Sequence, residues 1–165
     1  MSTWSVRWLA WVTLLAALLL SAGRLPMDWP DWLAWLRPAW VLLAVCFWAM
    51  AKAQPLGVLG AWLAGLCFDA LAAAPLGLNA ALFAIAAYAA RQLRQRLRMY
   101  PLAQQCAAAF ALVAACEALR HVAHGQPPIE PSALLMLAPA LTSAAAWPLV
   151  RAALQGLCRY FRVDQ

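Results

Sequence analysis

The sequence predicts an all-helical integral membrane protein, a bundle of about six transmembrane helices. Hydrophobic residues make up 67% of the 165-residue chain and charged residues only 11%, and the mean hydropathy is +0.73. A soluble domain of this length needs a larger charged surface to stay dispersed. Spans of about 20 residues joined by short loops would occupy the whole chain. We therefore expect residues 1–165 to form a single transmembrane domain.

Six apolar runs are the candidate spans, near residues 8–23, 38–51, 56–74, 78–90, 101–119 and 132–153. The first begins with tryptophans typical of a membrane interface, which favours a retained span over a cleaved signal peptide. The second and fourth are short for a hydrocarbon core of about 30 Å, so we expect them to extend into their loops. The tight turn at Pro75-Leu76-Gly77 predicts that the third and fourth spans form a helical hairpin. Pro139 and Pro148 predict kinks in the sixth.

The distribution of lysine and arginine predicts that both ends of the chain are cytoplasmic. With the amino terminus inside, the outer segments hold Arg24, Arg37 and Arg120. The inner segments hold a larger set, which comprises Arg7, Lys52, Arg91, Arg94, Arg96, Arg98, Arg151, Arg159 and Arg162. This asymmetry agrees with the positive-inside rule. The net charge of +6 is therefore interpreted as a topology signal and not as a nucleic-acid-binding surface.

Two exposed segments are candidate contact sites. In the first outer loop, Trp29, Trp32 and Trp35 recur every three residues, which would place them on one face of a short helix in the headgroup layer. A general aromatic belt is the simpler explanation of these tryptophans. The second segment is a cationic inner loop that contains Arg91, Arg94, Arg96 and Arg98. It either anchors the topology by binding anionic headgroups or docks a cytoplasmic partner.

Asp69 is the most informative polar residue because it lies inside the third span. A carboxylate that faces lipid costs about 3 kcal/mol on insertion scales, so Asp69 should face the bundle interior. Gly57, Ala61 and Gly65 precede it at steps of four residues, on one stripe of the helix. Small residues let another helix approach closely. The stripe is either a packing face that ends in a hydrogen-bonded acid or a proton, ion or partner site.

The outer end of the fifth span collects polar residues without forming a recognisable motif. Glu117, His121 and His124 are potential metal ligands, but their spacing matches no known zinc motif. An ion pair of Glu117 with Arg120 or His121 explains them more simply. The chain also lacks nucleophile-elbow, phosphate-loop and HExxH patterns, so we expect neither an enzyme nor a bound metal or cofactor.

Four groups of residues follow one another along the chain: Arg37-Pro38 before an apolar helix; Gly65, Asp69 and Pro75-Leu76-Gly77; the stretch from Arg98 to Gln105; and Pro139, Leu141-Thr142-Ser143 and Trp147-Pro148-Leu149. Their order and spacing resemble the MreD family of rod shape-determining proteins. In that family an acidic residue often follows the Arg-Pro pair. Ala39 stands at that position here, so no role of the acid is carried over.

The resemblance implies a structural adaptor of the cell-elongation machinery in the bacterial inner membrane. Such an adaptor would bind MreC and help couple MreB filaments to lateral peptidoglycan synthesis by RodA and a class B penicillin-binding protein. We expect the small-residue face of the third span and the tryptophan-rich loop to contact the partner. The family is also similar in fold to the substrate-binding membrane components of energy-coupling-factor transporters. The alternative is therefore a small-molecule or lipid binder with Asp69 as a polar contact inside a cavity.

Overall fold

The computed structural model describes residues 3–22, 37–51, 55–72, 74–99, 101–123 and 137–161. This part of the chain contains six α-helices and no strand, so the all-helical prediction is confirmed there. The helices are α1 (Thr3–Ala22), α2 (Trp40–Met50), α3 (Gly57–Ala72), α4 (Leu78–Met99), α5 (Leu102–Ala123) and α6 (Ala138–Tyr160). Each predicted span overlaps one of them. By length and composition, α5 alone among the described helices is both long and apolar enough to cross a membrane.

The centre of the bundle is α2, which contacts α1, α3, α4 and α6. Its residues from Val41 to Ala49 are all buried, as expected for a helix that is apolar on every side. One polar contact ties it to α1, because Trp48 Nε1 donates a hydrogen bond of 2.8 Å to Thr13 Oγ1. The Thr13 hydroxyl in turn donates to the Ala10 carbonyl at 2.9 Å.

The predicted hairpin of the third and fourth spans is confirmed, because α3 and α4 pack along each other and are joined by the turn at Pro75-Leu76-Gly77. Leu78 N–H donates to the Pro75 carbonyl across 3.3 Å, which closes the turn. Gly77 has φ = +99°, a conformation that a residue with a Cβ adopts only at a cost. The sequence thus supplies glycine where the turn requires it.

The prediction of a cationic inner loop is wrong, because residues 91–98 continue α4 as far as Met99. Arginine, glutamine and leucine are strong helix formers, and no glycine or proline interrupts them before Pro101. The segment is polar, but nothing in its sequence ends the helix. Within it, Arg91 is exposed and Arg94 is half-buried, and Arg96 and Arg98 follow in the same helix.

The two prolines of α6 occupy different positions. Pro139 lies in the first turn, where its missing N–H has no partner to lose, so the kink predicted there is wrong. Pro148 lies inside the helix. The Thr142 hydroxyl donates to the carbonyls of Ala138 and Pro139, at 3.0 and 3.1 Å. The predicted sixth span began at residue 132, outside the described residues, and the helix runs on to Tyr160.

Candidate functional site

The two helices of the hairpin approach closely at Gly65 of α3. A Cβ built on Gly65 would lie 2.4 Å from the Cα of Ala80 and 2.7 Å from the Asn79 carbonyl oxygen, both in α4. Real Cβ atoms do not come so close to backbone atoms, so only glycine fits at this position. Ala61, one turn earlier on the same stripe, is also buried.

The small-residue stripe is therefore covered within the chain itself. Ala61, Gly65 and Asp69 are buried, whereas Gly57 at the start of the helix is exposed and has open space around it. The structure supports the packing interpretation of this face. Gly65 is covered by α4 and does not lie on a surface that a partner could reach. The prediction that a partner contacts Gly65 is therefore corrected.

The Asp69 side chain is fully buried and accepts four hydrogen bonds from the start of α4. Oδ2 accepts from the N–H groups of Gly77 and Ala80, at 2.8 and 3.4 Å. Oδ1 accepts from the N–H of Asn79 at 3.2 Å and from its Nδ2 at 2.7 Å. The first N–H groups of a helix have no partner inside the helix and carry its positive dipole end. Asp69 therefore caps α4 from the neighbouring helix.

Asn79 links this cap to α5. Its side-chain oxygen accepts two hydrogen bonds from Arg120, from Nε at 3.1 Å and from Nη2 at 2.7 Å. Nη1 of Arg120 contacts both carboxylate oxygens of Glu117, at 2.6 and 2.7 Å, which confirms the predicted ion pair of Glu117 with Arg120. Asp69, Asn79, Arg120 and Glu117 thus form one polar network across three helices, which we call the outer network.

Sequence reasoning missed Asn79, although a signal was present. The residue stands in an apolar run two positions after Gly77, where an amide has no solvent to bind. A buried side-chain amide needs a partner on both its donor and its acceptor side. The Nδ2 group of Asn79 donates to Asp69, and the side-chain oxygen of Asn79 accepts from Arg120.

A cavity of about 560 Å³ opens beside the outer network. Its lining includes Arg37 and Pro38 from the predicted site, together with Glu117 and Arg120. Asp69 does not line it, which removes the polar contact on which the alternative of a small-molecule or lipid binder was based. The Ala39 N–H, just after Pro38, donates to the hydroxyl of Ser143 in α6 at 2.9 Å.

A second polar contact lies at the opposite end of the bundle. The Arg151 guanidinium in α6 donates to the side-chain oxygen of buried Gln105 in α5. Trp147, one helical turn before Arg151, is buried, and its Nε1 has no hydrogen-bond partner among the described residues.

The structure says less about the remaining predicted site residues. Trp29, Trp32, Trp35 and His124 lie outside the described residues. In the ranges that are described, no three histidine, cysteine or acidic side chains come together as metal ligands.

Comparison with known proteins decides the family. The family described as rod shape-determining protein MreD matches residues 4–156. The chain belongs to the MreD family. No solved structure matches it.

The structure gives local roles to the residues that carry the MreD resemblance. Asp69 and the Pro-Leu-Gly turn form the cap of α4, and Gly65 lets α4 approach. Ser143 binds the backbone just after the Arg-Pro pair, and Gln105 binds Arg151. These motifs therefore act at contacts between helices. The MreD family is one of shape-determining membrane proteins and is not known for catalysis.

Proposed function

We propose that this chain is a multi-pass structural adaptor of the bacterial inner membrane, with both ends in the cytoplasm. In this role it binds MreC and helps couple MreB to peptidoglycan synthesis by RodA and a class B penicillin-binding protein. The observation that carries the proposal is the match to the MreD family over residues 4–156. The polar contacts between helices support a structural role, because the side chains that the fold brings together join one helix to another.

We infer that the transmembrane helix of MreC docks on α5. Four alanines of α5, spaced by four residues, are all exposed; they are Ala103, Ala107, Ala111 and Ala115. We call this set the α5 alanine face. Small residues at this spacing let two helices in a membrane approach closely and gain van der Waals contact. The exposed face of α1 differs, because it carries Trp8, Val12, Leu15 and Leu19.

The test is co-purification of MreC with the tagged chain in detergent, beside rescue of rod shape in cells that lack their own copy. Ala107→Leu and Ala111→Leu should each lose MreC and leave cells round, because leucine holds the partner helix away. Ala16→Leu is the matched control, since Ala16 is an exposed alanine of α1 and should tolerate leucine.

The outcomes separate the two parts of the proposal. If both α5 variants keep MreC, the α5 alanine face is not the contact surface. If the unaltered chain fails to retain MreC and cells without it stay rod-shaped, the adaptor function itself is wrong. Thermal unfolding of each variant in detergent is the control that tests whether the chain still folds.

A further inference from the structure

The cavity beside the outer network lies at one end of the bundle. It is lined by the carboxyl-terminal ends of α1, α3 and α5, by the amino-terminal ends of α2 and α6, and by Phe83 in α4. Arg37 and Arg120, which line it, are two of the three basic residues assigned to the outer segments. The cavity therefore opens at the end of the bundle that the charge distribution assigns to the outer leaflet.

Its walls combine an apolar part with a charged part. Phe68, Phe83 and Trp40 supply aromatic surface. Arg37, Arg120 and Glu117 supply two positive charges and one negative charge. Both oxygens of Glu117 contact Arg120, so this acid is already neutralised by its neighbour. Among the described lining residues the wall keeps a net positive charge, which Arg37 carries.

This combination fits a molecule with an anionic head and an apolar body. The volume of about 560 Å³ lies within the range of about 300–1,000 Å³ that ligand sites usually have. The guanidinium group suits phosphate, because its planar set of N–H donors can bind two oxygens at once. A membrane supplies phosphate attached to acyl chains at this depth.

We propose that this cavity binds a phospholipid of the outer leaflet, with the phosphate on Arg37 and the upper acyl chains along Phe68 and Phe83. The proposal uses the membrane location contained in the proposed function but needs no protein partner. It also differs from the alternative of a small-molecule or lipid binder given above, because that alternative depended on Asp69, which takes no part here. The outer network has a supporting role, since Asn79 and Glu117 hold Arg120 in the wall.

The experiment uses the purified full chain in a neutral detergent and follows its thermal unfolding. Three probes are added in turn: dihexanoylphosphatidylglycerol, dihexanoylglycerol without the phosphate, and inorganic phosphate. A ligand that binds only the folded state raises the unfolding midpoint as its concentration rises. We expect the phospholipid to raise it at concentrations at which the other two probes have little effect.

Two variants locate the site. Arg37→Gln should weaken the apparent affinity for the phospholipid by about tenfold, the effect of losing one charge-assisted hydrogen bond. Ser21→Phe should also weaken it, because Ser21 lines the cavity and a ring there fills part of it. Arg159→Gln is the matched control, since Arg159 is exposed at the other end of the bundle and its substitution removes the same charge.

Four results would overturn the proposal. The phospholipid could bind both cavity variants as tightly as it binds the Arg159 control, which would place it elsewhere on the surface. Inorganic phosphate could act as well as the lipid, which would make the ligand a free anion. Dihexanoylglycerol could act as well, which would exclude recognition of phosphate. Ser21→Phe could instead release MreC and leave lipid binding unchanged, which would make the occupant a polypeptide.

Discussion

The N–H groups around the Asp69 carboxylate all belong to residues 77–80, so this single side chain fixes where α4 begins relative to α3. Three of its four hydrogen bonds come from the backbone and one from the Asn79 amide. A hydrogen bond to a charged group is worth about 1.5–3 kcal/mol in proteins. Asp69 therefore stabilises the hairpin and does not need a ligand or a proton pathway to explain its position.

We predict that Asp69→Asn lowers the free energy of unfolding by about 2 kcal/mol, because an amide oxygen accepts more weakly and the new Nδ2 group faces other donors. The measurement is thermal or denaturant unfolding of the purified chain in detergent. An unchanged stability would contradict the capping role.

Exchanging the carboxylate of Asp69 and the amide of Asn79 provides a sharper control. Asn79→Asp alone should destabilise more, because it puts a second carboxylate 2.7 Å from Asp69. The double variant Asp69→Asn with Asn79→Asp restores one carboxylate and one amide and keeps an acceptor for Arg120. We expect it to be more stable than Asn79→Asp alone, although the backbone N–H groups then bind a neutral amide.

At the scale of helices, the α3–α4 contact depends on the missing side chain of Gly65. We predict that Gly65→Ala destabilises the chain by at least about 2 kcal/mol, because the new Cβ would overlap the Ala80 backbone and force the helices apart. Unfolding in detergent measures this loss.

Gly156→Ala is the matched control for this substitution. Gly156 is also helical, and nothing lies within 4 Å of a Cβ built on it. Alanine in an open helical position should be neutral or stabilise by about 1 kcal/mol. Equal effects of the two substitutions would mean that helix propensity, and not packing, decides the result at Gly65.

The sequence predicts helices better than it predicts their ends. The spacing of Ala61, Gly65 and Asp69 correctly indicated an inward face, although Gly57 at the start of the stripe is exposed. Three of the four donors to Asp69 are backbone groups of residues 77–80, which no side-chain pattern reveals. Hydropathy ended the fourth span near residue 90, whereas helix propensity carries α4 on to Met99. The cavity could not be predicted, because its lining comes from residues as far apart as Leu20 and Pro139.

At the scale of the whole molecule, polar contacts join helices at both ends of an apolar bundle. The outer network joins α3, α4 and α5, and the contact of Gln105 with Arg151 joins α5 and α6 at the other end. Between them α2 contributes apolar packing. Apolar side chains facing lipid and facing protein differ little in free energy, so directional polar contacts set the register of such helices.

The topology gives a prediction for the intact membrane. Leu76, in the turn that the proposed topology places on the outer side, is exposed by 78%, and Tyr160 at the end of α6 by 82%. In a chain whose five native cysteines are replaced by alanine, Leu76→Cys should react with a membrane-impermeant maleimide in whole spheroplasts. Tyr160→Cys should react only after permeabilisation. The reverse pattern would contradict the assignment of cytoplasmic ends.

The capping of α4 by Asp69 also has a consequence for biogenesis. In the proposed multi-pass topology, α3 enters the translocon before the donors of α4 have been synthesised, so the segment bears the cost of an unpaired acid in lipid. Once α4 has been synthesised, the same carboxylate gains four hydrogen bonds. We expect the two helices to enter the bilayer together. A reporter fused after residue 74 should show poor insertion that Asp69→Leu corrects, and fusion after residue 100 should insert efficiently with Asp69 intact.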